Sequence, residues 1–449
     1  MTKNDSLIDQ EREFSIDELF FSTTDKSGKL TSWNQVFSRV SGYSDLDLSG
    51  KPHSLVKHPD MPRGVFRLFW DMIQNNEQVG AYVKNLAVDG RYYWVYALAV
   101  PIDDGFLSVR LKPTSELFTI VKDVYKQISE EEQRLISDGI SKAEVAIRSK
   151  EILLGKIKSL GFDSYKSFMS KTLLSEILSR EQIIRTHKKV VGDDANASVN
   201  SKLTQEIASL SGVVNSLLIE LSNSVNLSNV ITGSFSGTFH HATKIKYNAI
   251  NATIEASKLG SLGDTLFVLA DYLERICAKI LSGLFIAQSS ADVSLKTIDE
   301  ILFTISAAKL QTECLLEFLI ENVVQNSCMT VNREKLLLSC FVSRIQKVCS
   351  EYVGIEHSFG RIFDTLEEIR MLFLSLKVAH VSAKAESSRI DNADRFGAIF
   401  DDVNGIIDES KNSIDTTLVN LSSYLSAIKL RYSSVEKLKA STANISVNF

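Results

Sequence analysis

Four titratable side chains stand close together in the stretch KPHSLVKHPDMP (51–62), namely His53, Lys57, His58 and Asp60. Either histidine could ligate a haem iron, because an axial ligand needs only one imidazole. His58 and Asp60 could equally form a pair that stabilises this proline-bounded loop. A blue-light flavin–cysteine adduct is excluded here, since the first cysteine of the chain is Cys277.

The elements that must position this stretch are short strands and helices over residues 19–112. LFFSTTD (19–25) and LTSWN (30–34) are predicted strands, and the helix PRGVFRLFWDMIQ (62–74) begins at a proline suited to a first turn. Three antiparallel strands follow, AYVKNLAV, YYWVYALAV and GFLSVRLK, with an Asp-Gly pair typical of a hairpin. The order β-β-α-α-α-β-β-β predicts a sheet with helices on one face, which can hold a flat ligand between sheet and helices.

Proline and tryptophan divide the chain into two regions. All five prolines and all three tryptophans lie before residue 114, and no proline follows. Proline breaks helices, and buried tryptophan marks a compact core. We therefore expect a small globular domain, residues 18–114, behind an N-terminal cap (1–17), and then a long helical region.

Composition excludes several classes of function. The net charge of −5 argues against a nucleic-acid partner. The polar N-terminus is no signal peptide, and no apolar run approaches the ~20 residues of a membrane span, so a soluble, cytoplasmic protein is expected. The five cysteines form no CxxC pair, which predicts reduced thiols. Without a phosphate loop, a metal cluster or a nucleophile–base set, we expect no enzyme; His240 and His241 fit a polar helix face better than a metal site.

Heptad-like spacing organises the helical region. Residues 115–199 read as a connector of two or three helices with a hinge at 187–200. Beyond residue 200, apolar residues step by fours and threes, as in a coiled-coil or bundle seam. Two hairpins, 200–325 and 331–440, would supply four long antiparallel helices. The predicted fold class is α+β for the first domain, followed by an all-α four-helix bundle or coiled coil.

The first domain resembles a PAS sensor domain of the aerotaxis-receptor type. The resemblance rests on six sequence segments: FFSTTDKSGKLTSWN, VSGYS, GKPHSLVKHPDMP, LFWDMI, VKNLAVDGRYYWV and SVRLKPT. The resemblance implies non-covalent FAD; haem, which His53 or His58 could ligate, is the weaker alternative. It places these residues at or beside the cofactor: Asn34, His53, Lys57, His58, Asp60, Trp70, Asn85 and Trp94. The family usually has arginine at the position of Lys57, and Trp70 read without the family is a core residue.

INATIEASKLGSLGDTLFVLADYLE (250–274) resembles the hairpin tip of chemoreceptors, the methyl-accepting chemotaxis proteins. The resemblance implies partner contacts through Asn251, Glu255, Lys258 and Phe267, and a chemotaxis kinase or its adaptor as the partner. Lys258 and Ser261 depart from the family's usual arginine and glutamate. Residues 366–407 show a weaker similarity to the same pattern, which predicts a second hairpin. One chain would then form a four-helix bundle as a monomeric pseudo-dimer. The alternative is a homodimer.

Together these patterns predict a signal transducer of the chemotaxis or aerotaxis type. The PAS domain would read a redox or oxygen-linked state through its cofactor, and the bundle would pass the change to a protein partner. The alternative is a scaffold or assembly protein in which an empty PAS domain serves for dimerisation.

Overall fold

The computed structural model describes residues 7–191, 202–222, 225–325, 331–390, 399 and 403–448. Most of the predicted hinge (187–200) lies outside these residues. The chain forms two compact units. The first unit comprises Met1–Leu218, Asp299–Val348 and Leu438–Phe449, and the second comprises Ile219–Ile298 and Cys349–Lys437.

A six-stranded sheet forms the centre of the first unit. Its strands are β1 (Ile8–Glu11), β2 (Phe20–Asp25), β3 (Leu30–Trp33), β4 (Val79–Leu86), β5 (Arg91–Ile102) and β6 (Gly105–Leu111). The order is β1-β5-β6-β2-β3, with β4 also paired to β5. All pairs are antiparallel except β1–β5, which is parallel. The strands predicted from sequence are present, and β1 is an addition from the segment assigned to the N-terminal cap.

Helices lie between β3 and β4, as the predicted element order requires. They are α1 (Gln35–Ser41), α2 (Asp45–Leu48), a short 3₁₀ helix (His53–Val56) and α3 (Arg63–Gln74). Asn34 caps α1 by accepting a hydrogen bond from the Phe37 amide, and Gly42 ends that helix at φ +75°. A left-handed residue at this position favours glycine, since it has no Cβ.

Three connector helices follow the sheet: α4 (Glu116–Ser137), α5 (Lys142–Ser159) and α6 (Tyr165–Val191). The break predicted around residues 160–162 is present between α5 and α6, with Gly161 at φ +88°. A buried carboxylate on α4, Glu132, accepts hydrogen bonds from the backbone amides of Arg63 (2.6 Å) and Gly64 (3.2 Å). It thereby satisfies two of the free amides at the start of α3, so the connector is attached to the helical layer of the domain.

Five further helices complete the described chain. They are α7 (Lys202–Ser222), α8 (Val225–Lys258), α9 (Asp264–Gln325), α10 (Val331–Ser387) and α11 (Val403–Asn448). Residues 301–312 of α9, which belong to the first unit, are buried on every side of the helix. A helix that is buried all round lies inside a core rather than on its surface.

The second unit is a bundle of parts of α8, α9, α10 and α11. Buried residues of α9 step by fours and threes: Leu266, Ala270, Leu273, Cys277, Ile280, Leu284, Ala287 and Ala291. Helix α8 contacts α11 through His241 Nδ1 and Ser410 Oγ, 3.1 Å apart. Helix α10 contacts α11 through an ion pair of 2.5 Å between Lys377 and Asp408. One chain thus supplies all four helices, and the predicted class of long antiparallel helices is confirmed.

The bend predicted at residues 259–263 is a 3₁₀ turn, Gly260–Gly263. Gly260 has φ +60°, and a Cβ on Gly263 would collide with the carbonyl oxygen of Ala256, so both glycines are required by the local backbone. The polar turn predicted for the second hairpin, SSRIDNAD (387–394), follows the end of α10 at Ser387, and its residues 391–394 lie outside the described residues.

Within the described chain, one helical stretch, Gly260–Leu319, is long and apolar enough to cross a membrane by length and composition. One third of its most apolar segment is buried. A core helix passes the same test. The heptad spacing of its buried residues is that of a bundle helix.

Candidate functional site

The sheet of the first domain has two faces with different partners. Alternation along β5 sends Tyr93, Val95, Ala97 and Ala99 to one face and Trp94, Tyr96 and Leu98 to the other. We call the first the inner face, because it looks towards the helical layer; it also carries Arg110, which reaches His53 in the 3₁₀ helix. The second, outer face is covered by the connector and by α9.

Small side chains occupy the middle of the inner face. Ala81 on β4 lies opposite Ala97 on β5, and Ala99 lies opposite Ser108 on β6. Ser22 on β2 lies opposite Ser108 in turn. Neighbouring positions on one face of a sheet are normally filled by larger apolar side chains. A row of alanine and serine leaves a flat floor that suits a planar ligand.

Arg110 is the charged residue of this floor. It is 3% exposed, and its Nη2 donates to Ser22 Oγ (2.9 Å) and to His53 Nε2 (2.6 Å). Its other terminal nitrogen, Nη1, is buried without a hydrogen-bond partner. Burial lowers the pKa of Arg110 to about 10, so the guanidinium is still positive at neutral pH. Among the described residues, no carboxylate forms an ion pair with it.

His53 is held neutral by this neighbour. Burial, and then the positive charge of Arg110, lower the pKa of His53 well below its ordinary value. Because a guanidinium only donates, Nε2 of His53 must be the acceptor, and the ring proton lies on Nδ1. The ring of His53 also packs edge-on to Phe37, with 6.0 Å between centroids.

Tyr93 contributes a second unpartnered polar atom. Its ring stacks on Phe20 (5.7 Å between centroids), and its hydroxyl is buried without a hydrogen bond. Phe20 is also the register partner of Arg110 on the neighbouring strand, so Tyr93 and Arg110 both adjoin the Phe20 ring. Burial raises the pKa of Tyr93, and the positive charge of Arg110 opposes that rise. The inner face therefore offers two unused donors, Arg110 Nη1 and Tyr93 Oη, within one small region.

His58, Asp60 and Lys84 form a separate polar cluster. The Asp60 amide donates to His58 Nδ1 (3.2 Å), and Lys84 Nζ lies 2.8 Å from Asp60 Oδ2. Burial and then the charge of Lys84 lower the pKa of His58. These contacts are those of the loop-stabilising pair. Both contacts between His58 and Asp60 use Nδ1 of the ring, and Nε2 makes none with Asp60.

The structure separates the other predicted cofactor residues. Both polar atoms of the Asn34 side chain bond to backbone groups, Oδ1 to the amides of Phe21 and Phe37 and Nδ2 to the carbonyl oxygen of Leu19. Lys57 pairs with Asn85 through a backbone bridge and lies over the Phe66 ring at 4.1 Å. Thus Asn34 has a structural role, whereas Lys57 and Asn85 join the loop to β4.

The two predicted tryptophans lie far from each other on the domain. Trp70 packs edge-on to Phe106 (5.7 Å) and against the turn at Gly28, where a Cβ would lie 2.8 Å from its ring. Trp94 is on the outer face, edge-on to Phe118 of α4 at 5.3 Å. Trp94 therefore faces the connector and not the floor with Arg110.

The outer face is tied to the connector by a buried carboxylate. Glu176 of α6 is 0% exposed. Its Oε1 accepts from Tyr82 Oη (2.7 Å) and Ser115 Oγ (2.6 Å), and its Oε2 accepts from the amides of Thr114 (2.6 Å) and Ser115 (3.0 Å). Ser115 is the N-cap of α4. One side chain thus joins β4, the start of α4 and α6.

The predicted partner-binding residues lie at the tip of the first hairpin. Asn251 and Lys258 are exposed, and Lys258 pairs with Glu255 at 2.7 Å. Phe267 is 42% exposed beside other apolar side chains in the open. The exposed apolar residues near the turn include Tyr247, Ile254, Leu262, Phe267, Val268 and Tyr272.

Sequence reasoning missed Arg110, Tyr93 and Glu176. Arg110 had a visible signal, because it is a charged residue inside the apolar strand GFLSVRL. Glu176 had none, since a glutamate on an amphipathic helix is ordinary. Among the described residues, no group of three or more His, Cys, Asp and Glu side chains could hold a metal ion.

Comparison with known proteins agrees with this geometry. Residues 30–108 match the PAS fold family. The first domain is a PAS domain. The chain is 34% identical over 134 residues to the aerotaxis receptor of Escherichia coli K12, which covers 29% of this chain and 26% of that protein. The PAS fold and this likeness support a PAS-based sensor in signalling, and the long helices that follow are consistent with a chemoreceptor-like signalling region.

Two solved structures are also similar to parts of the chain. One is the PAS domain of a Colwellia psychrerythraea protein (22% identity, 21% of this chain and 86% of that chain, TM-score 0.20). The other is the blue-light activated histidine kinase EL346 of Erythrobacter litoralis (17% identity, 39% of this chain and 60% of that chain, TM-score 0.21). At these TM-scores neither likeness adds to the assignment made from sequence.

Proposed function

We propose that this protein is a cytoplasmic redox sensor whose PAS domain holds FAD and whose helices transmit the state of that cofactor to a protein of the chemotaxis or aerotaxis system. It acts through binding and not through catalysis. One observation carries the proposal. The inner face of the sheet combines a floor of small residues with the buried Arg110, which has no counter-charge among the described residues, while the outer face is bonded to the connector.

The residues of the inner face fit a flavin. The flat floor of Ala81, Ala97 and Ala99 suits its planar ring, and Arg110 and Tyr93 offer hydrogen bonds to its polar edge. A bound flavin would supply a group whose charge and shape change with redox state. A haem bond through His53 Nε2 would displace Arg110, which occupies that nitrogen at 2.6 Å, so flavin is the better fit.

The proposed route from the inner face to the connector runs through β4 and β5. Tyr82 lies between inner-face residues of β4 and bonds to Glu176, while Tyr96 of β5 donates to the carbonyl oxygen of Met169 on α6 at 3.0 Å. Tyr165 of α6 donates to the carbonyl oxygen of Gly80 at 2.8 Å. A movement of these strands is therefore passed to α6 through directional bonds.

Helix α6 continues the route to α9 within the first unit. Arg180 of α6 donates to the carbonyl oxygens of Ile16 (2.9 Å) and Asp17 (2.8 Å) and pairs with Glu313 of α9. Lys309 of α9 lies 3.0 Å from Glu313 and also pairs with Glu181 of α6. Buried ion pairs have strict geometry, because a broken pair leaves a charge without a partner.

The exposed tip of the first hairpin is the proposed output surface. Its apolar side chains and the Glu255–Lys258 pair would contact a chemotaxis kinase or adaptor. A differential affinity of ~1–3 kcal/mol between two packings suffices for such coupling.

An absorption spectrum of the purified full chain tests the cofactor. The two visible bands of oxidised flavin, bleached by dithionite, would support the proposal, and a Soret band would replace flavin by haem. A colourless protein that takes up neither FAD nor haem on reconstitution would refute it and favour the scaffold with an empty PAS domain.

Light scattering tests the bundle. Because one chain supplies all four helices of the second unit, we expect the mass of one chain in solution. An obligate dimer that unfolds on dilution would show that the hairpins need a second copy.

A further inference from the structure

Arg110 is a buried cation whose charge nothing in the described chain balances. Its hydrogen-bond partners, Ser22 and His53, are both neutral. Its neighbour in register on β5 is Ala97, which fills little of the space beside it. The Phe37 ring lies 5.4 Å from the guanidinium carbon and supplies only a weak cation–π contact.

Such an arrangement is costly unless another group completes it. A buried charge without a counter-charge is strongly unfavourable, and a buried donor without an acceptor adds to that cost. Arginine in a purely structural role is normally paired with a carboxylate in fork geometry. Here Arg110 Nη1 and Tyr93 Oη are both left without acceptors, so the missing group must supply acceptor atoms and negative charge.

We propose that Arg110 and Tyr93 form a subsite that receives the electron-rich pyrimidine edge of the flavin and binds its reduced, negatively charged state more tightly than its neutral oxidised state. This inference rests on the proposed function. Arg110 supplies the positive charge, Tyr93 adds a hydrogen bond, and His53 holds the guanidinium in place as a neutral acceptor.

The charge balance of flavin reduction is consistent with this role. A bound flavin would take up two electrons and one proton from a reductant such as dithionite, which would leave one negative charge on the ring. The guanidinium of Arg110 would compensate that charge inside the domain. A positive group near the ring nitrogens raises the reduction potential, because it stabilises the reduced state selectively.

The midpoint potential of the flavin in the full-length chain tests the subsite. The variants are Arg110→Gln, which removes the charge, and Arg110→Lys, which keeps the charge without the fork. Tyr93→Phe removes one donor. The matched control is Arg67→Gln on α3, since Arg67 is exposed and pairs with Asp71 on its own helix. Each protein is titrated with dithionite against a reference dye.

For Arg110→Gln we expect at least a tenfold loss of preference for the reduced state, which lowers the midpoint by about 30 mV for a two-electron couple. Arg110→Lys and Tyr93→Phe should lower it by less, and Arg67→Gln should leave it unchanged. If Arg110→Gln fails to fold or to hold flavin, the Lys and Phe variants decide the question.

Two outcomes would overturn the inference in different ways. Flavin in the wild type with the same midpoint in the Arg110 and Tyr93 variants would refute the subsite and leave the proposed function intact. A wild-type protein that holds no flavin would refute the proposed function and, with it, the subsite.

Discussion

Removing the charge of Glu176 should loosen the PAS sheet from its connector. Four donors from three residues, Tyr82, Thr114 and Ser115, bond to the two oxygens of Glu176. In Glu176→Gln the side chain keeps its shape, but an NH2 group replaces one of these oxygens, so the two donors that faced this oxygen lose their acceptor.

The size of the effect follows from these contacts. Hydrogen bonds to a charged group contribute ~1.5–3 kcal/mol each and neutral ones ~0.5–1.5 kcal/mol. Because the bonds share one carboxylate and are not additive, we expect a total loss of about 3 kcal/mol in the free energy of unfolding. With a urea slope of ~2 kcal/mol per molar, the midpoint should fall by about 1.5 M. Tyr82→Phe removes one donor and should cost about 1 kcal/mol.

Urea unfolding can be followed separately in the two regions of the chain. All three tryptophans lie in the PAS domain, so their fluorescence reports that domain, while far-ultraviolet circular dichroism reports mainly the helices. In Glu176→Gln the fluorescence transition should move to lower urea. Glu151→Gln on the exposed face of α5 is the control and should change stability by less than ~0.5 kcal/mol. A fluorescence midpoint equal to that of the wild type would refute the clamp assigned to Glu176.

Three further predictions concern other parts of the chain. Arg180→Ala should cost about 3 kcal/mol, because it removes a buried guanidinium from the partly buried carboxylate of Glu313 and leaves the carbonyl oxygens of Ile16 and Asp17 short of a donor. Arg185→Ala, which breaks an exposed pair on the same helix, should cost less than ~1 kcal/mol; equal losses in urea unfolding would contradict the buried network. The folded-state pKa of His53 is depressed, so its contribution to stability is present above the unfolded pKa of ~6.5 and is lost as pH falls below it, by about 1 kcal/mol per pH unit. His53→Gln should flatten this pH dependence of the urea midpoint, and an unchanged slope would show that other groups cause it. Gly263→Ala should lower the thermal midpoint of the helices because its Cβ meets a backbone carbonyl, whereas Gly237→Ala, with open space around it, should raise stability by up to ~1 kcal/mol. Equal effects of the two changes would argue against the tight turn.

The layout of the fold could be predicted from local signals. The strands of the PAS domain follow apolar alternation and turn residues, and the hairpin tip follows from Gly260 and Gly263. The long helices follow from a region without proline. The strand β1 could not be predicted. All four of its residues are exposed, and a segment with one apolar residue among polar ones shows no alternating pattern.

The candidate site could be predicted only in part. The histidine loop (51–62) is singled out in the sequence by its resemblance to PAS domains of the aerotaxis-receptor type, and the structure brings His53 of this loop to Arg110. Trp94 was assigned to the cofactor by resemblance, yet strand alternation places it on the outer face beside Phe118. Arg110 and Glu176 depend on contacts between residues that are 57 or more positions apart in sequence, such as Arg110 with His53. A single sequence carries no record of such pairings.

The helices packed on the outer face of the sheet determine where the chain can be truncated. Tyr82, Tyr96 and Phe21 are fully buried, and their partners come from α4, α6 and α9. A protein truncated at residue 114 would keep its whole sheet but expose this broad aromatic surface to water, and large exposed apolar patches promote aggregation. The end of the PAS sequence is therefore not the end of an autonomous folding unit, and the shortest soluble fragment must extend through the connector and carry a substitute for the buried segment of α9.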